Sequence, residues 1–331
     1  MNAPATLAEL HRLLDDDQAL PPETATGLTS HLPMALQALQ ALGASAARLQ
    51  AFRAAHQAHF HGEAGSVLPG IGPDWRAGLG RFDAYVALRS DFLARLADTG
   101  RDALLRETLP LLLQGAAAGA LHGPIRVAHA VQAGHDGELA SALAYWAARW
   151  QPVAPPQEQP QDLPFDTWTA ALTDAALRWT PEAPLITLRI RLVELSPHYQ
   201  ALAGRLQAPP DLLPRLTRFA ARGYARTRAF TVLHLVTGLR AIRLLMPWVD
   251  ATAQAAAGPA LVHAFTAAWL AARMTAWPEL PPAPALPWGE MVRRAVASDD
   301  DHVIKLVHAA LELSRDDDDP VFAAAAARAV A

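Results

Sequence analysis

Apolar residues recur at spacings of three and four through most of the chain, and alternating runs of β-branched residues are scarce. That periodicity lays one apolar stripe along a helix and cannot line one face of a strand. Alanine and leucine dominate, and both are strong helix formers. The pattern predicts helices over about 5–15, 33–42, 45–60, 81–98, 102–130, 136–150, 165–178, 211–245, 258–275 and 301–314. Gly43 stops one helix and Ser45 can cap the next. The segment 151–164, QPVAPPQEQPQDLP, is rich in Pro and Gln and cannot continue a helix. A second Pro-rich connection runs from Pro278 to Pro287. The expected architecture is an all-α, multi-helix bundle. Its N-terminal half is 1–150 and its C-terminal half 165–331, joined by the linker 151–164 and packed as one unit around a central pocket. No fixed-period repeat supports a solenoid.

Composition removes several function classes. With 331 residues, 52% hydrophobic and 18% charged, the chain can bury a large core and is not a disordered segment. A net charge of −4 gives no basic footprint for nucleic acid. The absence of cysteine excludes disulfides, iron–sulfur clusters, thiolate zinc and a cysteine nucleophile. Met1 to Leu10 does not read as a signal peptide. Each apolar stretch is interrupted by Arg, Gln, His or Pro, so no membrane span is expected and the cytoplasm is the expected location. Gly70 and Gly72 begin a GxGxxG, but Trp75 stands where the third glycine belongs, so no Rossmann or flavin signature is present. GxxxxGK[ST], HExxH and GxSxG are missing as well.

Two residue types then draw notice. The 28 basic residues are 27 arginines and one lysine, Lys305. A lysine amine can lose its proton and react, whereas guanidinium stays charged. Thirteen histidines are present. His56, His59 and His61 crowd a helix end and read as solvated, and His11, His135 and His198 sit beside caps or turns. Four others stand differently. His31 lies at a helix entrance marked by Pro33. His122 follows the small residues Gly115, Ala118 and Gly119 and precedes Gly123-Pro124, which reads as a helix break. His234 has Thr237 and Gly238 one turn on, and His302 shares a helix face with Lys305.

The stretches SHLPMALQALQALGAS, ALHGPIRVAHAV followed by LASALAYWAARW, FTVLHLVTGLRAIR and DDDHVIKLVHAALE occur in this order. In them the sequence resembles the questin oxidase family, which is linked to oxygen-dependent cleavage of anthraquinone rings in polyketide pathways. The resemblance implies a Baeyer–Villiger-type or dioxygenase-type oxidoreductase with non-haem Fe(II), or another divalent metal, held by histidines and a carboxylated lysine. It maps His31, His122, His234, His302 and Lys305 onto the metal-ligand positions. Electrostatics fits that set: four neutral imidazoles leave a dication uncompensated, and a lysine carbamate would be an anionic oxygen donor. His308, one turn past Lys305, is the rival to His302, since six residues set the two about 120° apart. His129 shares the His122 face and can hydrogen-bond a ligand or simply pack.

The substrate implied is a small aromatic molecule with O2 as co-substrate. NADPH would act only as a diffusing reductant, because no dinucleotide motif is present. Arg126 and Arg240 are candidates for holding a phenolate or carboxylate, and Tyr145, Trp146 and Trp150 for the aromatic wall. Two other readings remain. Asp299 to Asp301 and Asp316 to Asp319 are faintly like the Mg²⁺ motifs of all-α isoprenoid enzymes, but Asp299 to Asp301 read better as a helix cap. A non-catalytic helical binding module needs only the Ala/Leu composition.

Overall fold

The structure is a computed structural model that describes residues 3–18, 20–24, 26–59, 70, 72–158, 160–274, 276–277 and 286–331. The described residues contain sixteen α-helices and no strand. The all-α expectation is met. His61 and most of the second Pro-rich connection lie outside the described residues, as does the His59 side chain.

Four helices form the centre. These are α2 (Leu32–Ala41), α6 (His122–Ala133), α12 (Phe230–Leu245) and α15 (Asp301–Asp316). They pack in a closed circuit, α2 on α6, α6 on α12, α12 on α15 and α15 back on α2. Two come from each half of the chain, so the halves share one core. On the N-terminal side, α1 (Leu7–Asp16) and α3 (Ala46–His59) cover α2, and α7 (Asp136–Ala148) packs between α6 and α4 (Tyr85–Thr99), with α5 (Arg101–Leu112) beside α4. On the C-terminal side, α11 (Leu212–Thr227) and α16 (Val321–Ala329) lie against α12 and α15, and α14 (Trp288–Ala297) against α15. The long α13 (Ala251–Leu270) gathers α8 (Phe165–Arg178), α9 (Ile186–Glu194) and α10 (Pro197–Leu202).

Burial explains this order. In α12 every residue from Thr231 to Ile242 is buried, as a helix apolar all round must be. The stretch Phe230–Trp248 is therefore long and apolar enough to cross a membrane by length and composition. This corrects the expectation that no stretch reaches that length. Most of it is buried inside the protein, as the central helix of a bundle would be.

Two predicted helices are each divided by left-handed residues. The helix expected over 102–130 ends at Leu112. A 3-10 turn follows, and then Gly119, Ala120 and Leu121 all take positive φ, at 55°, 60° and 71°. Non-glycine residues there store backbone strain. The break thus precedes His122 rather than following it, and Pro124 sits in the first turn of α6, where its missing N–H costs nothing. The helix expected over 211–245 is cut at Arg228, φ 53°. Helices α9, α10, α14 and α16 were not predicted; they are short or flanked by Pro, and packing rather than periodicity stabilises them.

Gly123 lets α6 meet α7 closely. A Cβ there would stand 2.6 Å from Trp146 Cδ1, and that indole is fixed because its Nε1 donates to Gly115 O at 3.1 Å. Gly123→Ala should therefore destabilise by about 1–3 kcal/mol. Urea unfolding reads this directly, and an unchanged midpoint would contradict the packing.

Candidate metal and substrate site

Each central helix contributes one histidine near its N-terminus. His31 is the N-cap of α2, His122 opens α6, His234 lies in the second turn of α12, and His302 lies in the first turn of α15. Their rings form a closed circuit. Centroid separations are 4.6 Å from His31 to His122, 4.8 Å from His122 to His234, 5.3 Å from His234 to His302 and 4.7 Å from His302 to His31. Four imidazole nitrogens about 2.0–2.1 Å from one ion would place neighbouring ring centres roughly 4.5–5.2 Å apart, for right-angled to tetrahedral ligation.

The hydrogen bonds settle which nitrogen of each ring is free. His122 Nδ1 faces Gly119 O, and His234 Nδ1 faces Phe230 O at 2.8 Å. A carbonyl only accepts, so both Nδ1 atoms carry the proton. His31 Nδ1 and His302 Nδ1 both face Asp301 Oδ1, at 2.7 and 2.9 Å. A carboxylate also only accepts, so His31 is fixed the same way by its hydrogen bond, and His302 Nδ1 is turned to the same oxygen at ion-pair distance. All four rings therefore leave Nε2 as the lone-pair atom. His122 Nε2 and His302 Nε2 are buried and find no hydrogen-bond partner among the described residues. Ring nitrogens held from behind by carbonyls and a carboxylate are the usual arrangement behind metal-ligating histidines.

Burial favours the neutral form of His31, His122 and His234. It lowers His31 to about 4, with the Lys305 charge adding to the effect, and it takes His122 and His234 well below the ordinary histidine value. Neutral imidazole is the form that ligates. Burial likewise lowers Lys305. Burial alone would raise Asp301, but the neighbouring His31 and Lys305 outweigh it and hold its carboxyl far below the usual range. Lys305 Nζ lies 3.5 Å from Asp301 Oδ1. Ligand atoms of His31, Asp301 and His302 all lie within 4.8 Å of one another.

Asp301 is the site residue that sequence reasoning missed. The acidic run fits a helix cap by sequence, yet only Asp300 caps, accepting from the N–H groups of His302 and Val303. Asp299 pairs with Arg48. The available signal was spacing, because Asp301 stands four residues before Lys305 on one helix face. With Asp301 beside the rings, a negative charge is already supplied, and charge balance no longer singles out Lys305.

A cavity of about 660 Å³ opens onto the circuit, lined by His31, His122, His234, Asp301 and His302 at one end. Trp150, Phe230, Leu28 and Leu188 supply apolar wall, and Glu23, Thr29 and Arg149 supply polar groups. His56, expected at a solvated helix end, also lines it.

The remaining candidates fall elsewhere. Arg126 is buried and held by both Glu138 oxygens, at 2.7 and 3.0 Å, and does not line the cavity. Arg240 is buried at the other end of α12, bound to Glu312 and Gln132, beside a second cavity of about 390 Å³. Substrate contact by either arginine is corrected to a structural ion pair, because each guanidinium is taken up by a carboxylate. Tyr145 is wholly buried behind the cavity wall, with its hydroxyl on Thr29 and Glu23. His308 lies outside the circuit, 3.5 Å from Glu312 and with its ring 5.4 Å from that of His129, which bonds Gln37. His302 rather than His308 is the α15 member.

Residues 28–194 match the family model described as questin oxidase-like. The chain belongs to that family. Membership in the questin oxidase-like family suggests an oxidoreductase. The matched span carries His31 and His122, and the fold brings His234, Asp301, His302 and Lys305 to them from beyond it. No curated protein matches the chain.

Proposed function

We propose that this questin oxidase-like protein is a metal-dependent oxidoreductase that uses O2 to cleave a ring of an aromatic, anthraquinone-like polyketide. The observation that carries the reading is the circuit of four imidazoles, all turned so that Nε2 is free, lining a cavity of substrate size. His31, His122, His234 and His302 would hold the ion, with Asp301 as fifth donor or as the anchor of two of the rings, and with Lys305 beside it. A nitrogen-rich set with one anionic oxygen suits Fe(II) among the divalent metals. When bound, such an ion supplies activation of O2 and of an electron-rich substrate.

The chain's own residues do the rest. Gly119 O, Phe230 O and Asp301 fix the ring tautomers. Trp150, Phe230 and Leu28 offer apolar surface to a planar substrate and exclude water from its faces. Lys305, paired with Asp301, would keep excess positive charge from the ion's surroundings once carboxylated, as family resemblance implies. No dinucleotide-binding motif is present, so NADPH enters only as a freely diffusing reductant.

The test is oxygen uptake with hydroxylated anthraquinones after anaerobic loading with Fe(II). Uptake that depends on both iron and substrate is expected. Uptake no greater than that of protein-free controls would overturn the reading.

A further inference from the structure

A hydrogen-bond chain with one possible direction runs through the cavity wall. Glu23 is 5% exposed, and Arg149 binds it through two nitrogens, with Nε donating to Oε1 at 2.8 Å and Nη2 donating to Oε2. A carboxylate held in this way only accepts. Tyr145 Oη lies 3.0 Å from Glu23 Oε1, so the phenol must donate its one proton there. Tyr145 Oη also lies 2.6 Å from Thr29 Oγ1. With the phenol proton committed, that contact needs the threonine proton. Thr29 therefore donates to Tyr145, and its hydroxyl has only lone pairs left. No other hydrogen bond to Thr29 Oγ1 is found among the described residues, and Thr29 lines the cavity.

The backbone holds this arrangement. Glu23 and Thr29 face each other across an antiparallel bridge, braced by Thr24 N–H to Leu28 O and Ser30 N–H to Pro22 O, both 2.8 Å. Gly119, at φ +55°, makes room for the phenol, since a Cβ there would stand 2.7 Å from Tyr145 Oη.

We infer that Thr29 is a specificity-determining residue: it presents a fixed acceptor to the cavity and selects substrates that place a hydrogen-bond donor, such as a ring hydroxyl, against it, while Tyr145 and Glu23 set its polarity. The inference rests on the reading of the 660 Å³ cavity as the substrate site, and not on the metal or the reaction. A substrate with an ether or carbonyl at that position meets lone pair against lone pair. A site built around one hydrogen bond discriminates strongly against a partner that cannot make it.

Equilibrium binding tests it without turnover. The probes are 2-naphthol and 2-methoxynaphthalene, followed by quenching of tryptophan fluorescence, since Trp150 lines the cavity. The wild-type protein should prefer the naphthol by about tenfold. Thr29→Ser should keep the preference, and Thr29→Val should abolish it. Tyr145→Phe leaves the Thr29 proton free to turn into the cavity, so the ether should gain affinity and the preference should shrink. A purely structural tyrosine would weaken both probes alike. Equal affinity of the two probes for the wild type, including no binding of either, overturns the inference, as does an unchanged preference in Thr29→Val. Loss of oxygen uptake with this selectivity intact would count against the proposed reaction and leave Thr29's role standing.

Discussion

A His122→Ala variant should fold, melt at or slightly above the wild-type temperature when metal-free, and lose its affinity for Fe(II) by at least about 100-fold. The metal-free imidazole is buried with Nε2 unpaired. Nε2 contributes desolvation cost and no bond, which offsets the loss of the Nδ1 bond to Gly119 O, so removal of the ring takes little from the apo fold. Loss even of a group behind a ligand costs about 10–100-fold in metal affinity, and loss of a ligand costs more. Thermal unfolding with and without Fe(II) separates the two effects. At 100 times the wild-type Kd, metal should stabilise the wild type by about 2.7 kcal/mol and the variant by no more than about 0.4 kcal/mol. Equal stabilisation of both proteins would remove His122 from the ligand set.

Glu138→Gln should cost about 3–5 kcal/mol, the largest loss expected from any single polar substitution here. Arg126 and Glu138 are both buried, with 7% and 6% of their side chains exposed, and they bond through two nitrogens. Burial pulls the Arg126 guanidinium down, but the carboxylate's charge and hydrogen bonds more than restore it, so the net direction is up. Guanidinium does not shed its proton in a protein, so the cation persists when its partner is neutralised and is left uncompensated in a dry interior. Arg126→Met combined with Glu138→Leu should recover most of the loss, because an apolar pair removes both desolvation costs. Urea unfolding of the two single variants and the double measures the coupling. Additive losses would show that the two groups do not act as a pair.

The fold class was legible because helical periodicity is local and dense. What escaped is instructive in physical terms. The break between α5 and α6 depends on Ala120 and Leu121 taking left-handed backbone, which neither residue advertises. The cut at Arg228 is of the same kind. Three of the histidines could be singled out by their settings beside Pro33, Gly119, Gly123 and Gly238, because close helix approach and irregular backbone need those residue types, and His302 by Lys305 on the same helix face. Asp301 could not, since three consecutive aspartates at a helix start all fit a cap and only coordinates show that Asp300 alone serves as one. Arg126 and Arg240 looked like anion holders because arginine spacing says nothing about where Glu138 and Glu312 lie. The acceptor at Thr29 was invisible for a deeper reason. Its polarity is fixed through Tyr145, 116 positions away, whose own proton is committed to Glu23.

X-ray absorption at the iron edge of anaerobically loaded protein tests the central claim most directly. The account predicts a single ion per chain, with scattering from four imidazole nitrogens at about 2.0–2.2 Å plus oxygen donors, and a lower imidazole count in His122→Ala. Protein that binds no iron above trace, or whose bound iron shows one imidazole or none, would contradict it.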